Sequence, residues 1–236
     1  MDKIGGQMLD ILGAWIQSTG TTVAAIGETI IVKGDDEESA KKGLTLVALG
    51  NGIEATGNSL QAVAREKILQ PSEGKTLGIF GTWLQAAGNI TNVVAANQLI
   101  QGMEEGLRLD ILGDIFQSFG AASEAVAYTL EEETPYTPLL IGGNTFLSIG
   151  AFLEAVGEIY ILNDQVELGD QLVAFGSYVE TAGATIAALG LTKNFEVEQG
   201  IRPTPLTFNE AYSNKKYPSK IKLLMGIESI LILILE

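Results

Sequence analysis

Residues 81–88 read GTWLQAAG, an octapeptide bounded by Gly81 and Gly88 whose pattern returns five more times along the chain. The other copies are GAWIQSTG (Gly13, Gly20), GNGIEATG (Gly50, Gly57), GDIFQSFG (Gly113, Gly120), GNTFLSIG (Gly143, Gly150) and GSYVETAG (Gly176, Gly183). Successive first glycines lie 37, 31, 32, 30 and 33 residues apart, and the six copies align without gaps. Seven positions past the second glycine a small residue always returns: Gly27, Ala64, Ala95, Ala127, Gly157 and Gly190. An apolar residue stands three positions after each first glycine (Ile16, Ile53, Leu84, Phe116, Phe146, Val179) and a leucine four before it (Leu9, Leu46, Leu77, Leu109, Leu139, Leu172). Seven residues nearly complete two helical turns, so these positions share one face of a helix.

Breaks fall between the periodic stretches, at Lys33-Gly34-Asp35-Asp36, Gln70-Pro71-Ser72-Glu73-Gly74, Gly102, the run from Glu133 to Pro138, and Asn163-Asp164. Helices of about 25 residues, each roughly 37 Å long, are expected, and short links make successive helices antiparallel neighbours. The fold class expected is all-α: an antiparallel six-helix repeat bundle or a two-layer helical array, with one helix per repeat and an irregular C-terminal tail. The expected division is a six-repeat domain over 1–192 and a tail over 193–236.

Glycine inside a helix costs about 1 kcal/mol relative to alanine, so the twelve paired glycines imply compensation, for which close approach of helix backbones is the expected source. They are therefore read as helix-packing residues. A second set of small residues lies on another face: Ala25, Ala62, Val93, Ala125, Ala155 and Ala188 twelve positions after the first glycine, and Ser18, Ala55, Ala86, Ser118, Ser148 and Thr181 five after it. Such helices want cover on two sides, either from a second helix layer or from other chains. Four positions after the first glycine stand Gln17, Glu54, Gln85, Gln117, Leu147 and Glu180, polar in five copies and read as rim groups bonding across helices.

Composition narrows the function. Charged residues are 18%, against roughly 25% in ordinary soluble domains, and mean hydropathy is +0.25. Residues 1–192 hold 8 basic against 24 acidic side chains, a charge that repels nucleic acid. With no histidine and no cysteine, disulfides, thiolate metal sites and the commonest general base are all missing. Glu73-Gly74-Lys75-Thr76 resembles the end of a phosphate loop, but Leu69 stands where its first glycine belongs. Glu154 and Glu158, one turn apart, with Glu124 and Glu180 from helices expected to be neighbours, read as a solvated acidic stripe rather than a hard-cation site. No catalytic residue, metal ligand or cofactor is assigned, and an enzyme is not expected. Residues 76–103 carry no charge, yet Gln85, Asn89, Asn92, Asn97, Gln98 and Gln101 make them a poor membrane span.

The tail reads differently. Past Arg202-Pro203-Thr204-Pro205 comes Lys220, Lys222 and an apolar run that includes Leu223, Leu224, Ile227, Ile230, Leu231, Ile232, Leu233, Ile234 and Leu235. This segment suits an interfacial membrane anchor or docking into a groove of the bundle.

The units Gly13–Gly20 and Gly81–Gly88, with Ala24-Ala-Ile-Gly-Glu-Thr29 following the first, resemble an uncharacterised glycine-rich repetitive-protein family of bacilli built from WLQAxGN-type helical repeats. The resemblance spans about residues 8–192 and implies no activity and no binding residues. The expected function is non-enzymatic: self-association into a homo-oligomer, or binding of another protein, through small-residue helix faces. Membrane activity using the glycine faces and the C-terminal segment, and carriage of an apolar ligand, are the alternatives. The expected location is cytoplasmic, or peripheral to a membrane surface.

Overall fold

A computed structural model describes residues 1–201. They form six helices: α1 (Lys3–Lys33), α2 (Glu37–Ile68), α3 (Glu73–Ile100), α4 (Glu105–Leu130), α5 (Thr137–Leu162) and α6 (Val166–Glu198). Each repeat is one helix. At 26 to 33 residues the helices exceed the expected length, because regular structure runs to the capping residues on both sides. The Asp2 side chain accepts from the Gly5 amide, Asp36 from Ser39 and Ser72 from Lys75. Gly102, at φ +77°, turns the chain out of α3 in the left-handed conformation that glycine adopts without strain. Helix α6 continues past Thr192, where the repeat pattern stops, as far as Glu198. The apolar segment that includes Lys220 and Leu235 lies outside the described residues.

The helices pack as three antiparallel hairpins, α1–α2, α3–α4 and α5–α6, with further packing of α2 on α3, α4 on α5 and α6 on α1. The result is a closed ring in which every helix has two neighbours. Of the two architectures open to the sequence, the bundle is the one adopted.

Within each hairpin, glycines face glycines. A methyl group at Gly13 would stand 2.7 Å from the carbonyl oxygen of Gly57, at Gly20 2.6 Å from that of Gly50, and at Gly27 2.7 Å from that of Gly43. The other hairpins repeat this, with Gly81 against Gly120, Gly88 against Gly113, Gly143 against Gly183, Gly150 against Gly176 and Gly157 against Gly169. No Cβ fits at those distances. Backbones that close gain dispersion contact along the whole length of the pair, which offsets the helix-propensity cost.

The second small-residue face seals the hairpins to one another. Ser18 on α1 shares a 2.9 Å hydrogen bond with Thr185 on α6, and Ser118 on α4 donates to the Ser148 carbonyl on α5 at 2.9 Å. Ala62 and Ala188 have no solvent exposure at all. This face therefore neither supports a second layer nor remains free for other chains; the ring itself consumes it.

With both small faces used in packing, two faces of each helix remain, one inward and one outward, and their chemistry is inverted relative to a water-soluble protein. Of the seven largest side chains buried below 2% exposure, Asn58, Asn89, Thr21, Thr82 and Asp114 carry polar groups on short stems; only Tyr136 and Leu139 are large and mainly apolar. Outside stand Trp15, Leu49, Phe80, Trp83, Phe119, Phe152 and Phe175.

Candidate functional site

The inward positions are the first residue after the first glycine, the fourth, the eighth and the eleventh, a heptad-like stripe in which polar residues outnumber apolar ones. Facing glycines pair offset zero on one helix with offset seven on its partner, so the mid-height of the ring falls near offset four. The six residues of that slot therefore converge at one level. Gln17, Glu54, Gln85, Gln117, Leu147 and Glu180 are all buried, from 2% to 6% exposed. They lie in the interior rather than at a rim, and Leu147 packs there with Ala121 and Ala184 as a small apolar plug.

Toward one end of the ring the polar groups are organised around Arg65. Arg65 on α2 donates from Nε to Asp10 Oδ1 on α1 at 3.1 Å, from Nη1 to Thr82 on α3 at 2.8 Å and to Glu124 on α4, and from Nη2 to Gln61 at 2.9 Å. Its guanidinium also lies 5.9 Å from the centre of the Tyr128 ring. A circuit of amides completes the arrangement: Gln61 donates to Gln17, Gln17 to Gln85, and Gln85 to the second oxygen of Glu124. Each bond of this circuit joins a donor to an acceptor, as a stable buried polar network requires, while Asn58 beside it accepts from Gln61 but leaves its own Nδ2 without a partner. Lys193, also buried, stands at the same end with its ammonium 5.6 Å from the Tyr136 ring centre.

Toward the other end the interior is acidic. Asp110 and Asp114 from α4, Glu154 and Glu158 from α5 and Glu28 from α1 interact with one another across the ring. Asn92 on α3 donates to Asp114 Oδ1, and Ser177 on α6 stands beside Glu154. Asp114 Oδ2, Glu154 Oε1 and Glu158 Oε2 have no hydrogen-bond partner. Among the described residues no three acidic side chains are placed to hold one metal ion.

Two expectations are corrected by this geometry. Glu154 and Glu158 are not a solvated stripe: Glu158 is 4% exposed and both point into the acidic interior, because their positions lie on the same face as the mid-height slot. Glu124 and Glu180 do not come from adjacent helices, since α5 stands between α4 and α6 in the ring.

A model for a family described as "Family of unknown function (DUF6944)" matches residues 8–188. The chain belongs to this family. The match covers all six glycine pairs, and so both the packing seams and the polar interior fall inside it. No curated protein matches the chain. No solved structure matches it either.

Each of the twelve glycines named from the sequence sits against a glycine of its hairpin partner, as Gly13 does against Gly57 and Gly143 against Gly183. Sequence reasoning assigned no interior role to Asp10, Glu28, Asn58, Arg65, Thr82, Asn89, Asn92, Asp110 or Asp114. For Thr82 a signal was present: with Asn51, Asp114, Asn144 and Ser177 it belongs to a polar set one position after the first glycine, on the same face as the slot at offset four.

Proposed function

We propose that this is a non-enzymatic integral membrane protein, a ring of six helices whose outer surface is solvated by lipid and whose polar interior carries its function. The observation that supports this reading is the placement of charge on the outer surface. Every exposed charged residue described lies in a link or within six residues of a helix end, and the exposed face between is uncharged and apolar apart from threonines and Tyr178. On α2 the band free of exposed charge runs from 43 to 65, about 34 Å at 1.5 Å per residue, against roughly 30 Å of bilayer hydrocarbon.

The exposed hydroxyls fit the same environment. Thr19, Thr22, Thr45, Thr56, Thr91 and Thr145 each donate to the carbonyl four residues back, at 2.7 to 2.9 Å. A hydroxyl satisfied within its own helix asks nothing of its surroundings. Two helices, α5 and α6, are long and apolar enough to cross a membrane, with mean hydropathy of 1.5 and 1.4 over their most apolar windows. The other four score lower in part because their inward faces are polar, as with Gln85, Asn89 and Asn92 on α3. In a closed ring, average hydropathy understates what the lipid-facing half offers.

Flotation of the full chain with liposomes, followed by alkaline carbonate extraction, tests the proposal. Retention in the lipid fraction is expected. Recovery as a soluble species without detergent sinks it, and sizing by light scattering would then show whether copies cover the apolar belt for one another.

A further inference from the structure

Building on the membrane-embedded reading, we infer that the acidic end of the interior is a proton-exchange site, with Asp110, Asp114, Glu154 and Glu158 taking up protons and passing them to one another. The carboxyl groups of Asp110 on α4 and Glu158 on α5 face each other closely enough for each to act on the other. Two ionised carboxylates are acceptors only, so a hydrogen bond forms between such a pair only when one of them carries a proton. Next to it, Asp114 Oδ2 and Glu158 Oε2 are buried without a partner, in residues only 2% and 4% exposed.

The surroundings supply protons rather than counter-ions. The groups facing the cluster are Glu28 from α1, Glu54 from α2, the neutral Asn92 from α3, and Asp170, Ser177 and Glu180 from α6. None is a cation. Arg65 is committed to Asp10 and Glu124 toward the opposite end, and Lys193 stands with Tyr136 at that end. Like charges crowded in a low-dielectric interior cannot all be ionised, and they titrate as a coupled set.

The cluster also has direction. Asp110 lies six residues into α4 and is only half-buried, which gives protons a way in from the end of the ring. Inward from Asp110 the acidic groups continue through Asp114 and Glu154, whose charge is felt by Glu180 and Glu54 at mid-height. Each hop breaks one carboxyl O–H bond and forms another. Net protonation changes only by exchange with water at the acidic end, while the Arg65 network closes the other.

Infrared spectroscopy of the full chain in phosphatidylcholine vesicles tests this at neutral pH. A protonated-carboxyl carbonyl band that shifts in D2O is expected. It should weaken in Asp110→Asn and in Glu158→Gln, and stay unchanged in Glu37→Gln, an exposed carboxylate paired with Lys41. The inference is overturned if wild type shows no such band, or if both interior substitutions leave it intact while circular dichroism shows native helix content. It is equally overturned if CaCl2 alone abolishes the band, since the site would then be a cation site. Wild type and the CaCl2 arm decide the matter even if the variants fail to fold. Carbonate extraction is scored separately: a soluble chain with the band loses the membrane reading alone, and a lipid-retained chain without it loses the proton site alone.

Discussion

Arg65 on α2 and Glu124 on α4 are joined by a buried salt bridge that reaches past the intervening helix α3. Because the same guanidinium also holds Asp10 on α1 and Thr82 on α3, one side chain ties four consecutive helices together. Removing it strands two carboxylates in the interior. Arg65→Met is expected to destabilise the fold by about 3–5 kcal/mol, with most of the loss recovered when Asp10→Asn and Glu124→Gln are added. Thermal unfolding in detergent reads both. A triple variant no more stable than the single one would show that the guanidinium acts by packing rather than by charge.

The glycine seams predict opposite outcomes for the same substitution at different sites. At Gly20 an added methyl meets the Gly50 carbonyl at 2.6 Å and the Glu54 amide at 2.7 Å, both backbone atoms that cannot swing away. Gly20→Ala should cost roughly 1–3 kcal/mol. At Gly142, inside α5, nothing lies within 4 Å of an added Cβ. There the helix propensity of alanine decides, and Gly142→Ala should gain up to about 1 kcal/mol. Melting temperatures of the two variants, measured side by side, check the contrast.

Phe119 is 66% exposed on the outer face of α4. In water, Phe119→Glu would change stability by less than about 0.5 kcal/mol. Against lipid, an acidic side chain near the middle of a span costs about 2.5–3.5 kcal/mol. The variant is therefore expected to leave carbonate-washed membranes more readily than wild type, whereas Lys41→Glu, in the charged zone at the start of α2, should not. Equal retention of both variants and wild type would count against lipid contact at Phe119.

The start of α2 is pH-sensitive. Asp36 accepts the Ser39 amide, and this hydrogen bond from the backbone, then that from the side chain, holds its carboxyl below the usual range. A depressed value in the folded state means the cap contributes fully above the ordinary Asp value of about 3.9 and is lost as pH falls through the lower folded-state value. Amide exchange at Glu38 and Ser39 should accelerate across that acid window in wild type. In Asp36→Asn, which keeps a capping oxygen without a titrating proton, the rates should change only with the intrinsic pH dependence of exchange.

The repeats, the helices, their approximate ends and the residues of the glycine seams were all legible in the sequence. Helix formation and capping depend on neighbours three and four positions away, and backbone contact leaves its mark as a glycine every seven residues, so both are written locally. The interior was only half legible. The slot at Gln17, Glu54 and Gln85 stood out because it is polar in nearly every copy. Asp10 and Arg65 did not, since an aspartate returns at that position in only one other copy, as Asp110, and an arginine in none, and each gains its meaning from a partner 55 residues away in sequence.

Closure of the ring was decided by tertiary structure. One helix carries two small-residue faces whether it belongs to a layer, a filament or a ring; only the packing of α6 back on α1 settles which. That closure turns the polar stripe inward and leaves Phe80, Trp83 and Phe119 outside. The periodicity alone is silent on the point, because a stripe of glutamines and a stripe of aromatics on opposite faces of a helix fit water outside and an apolar core equally well. Which face points to the centre depends on the angle between the two glycine-rich seams around each helix, and that angle has an inside only when six helices close.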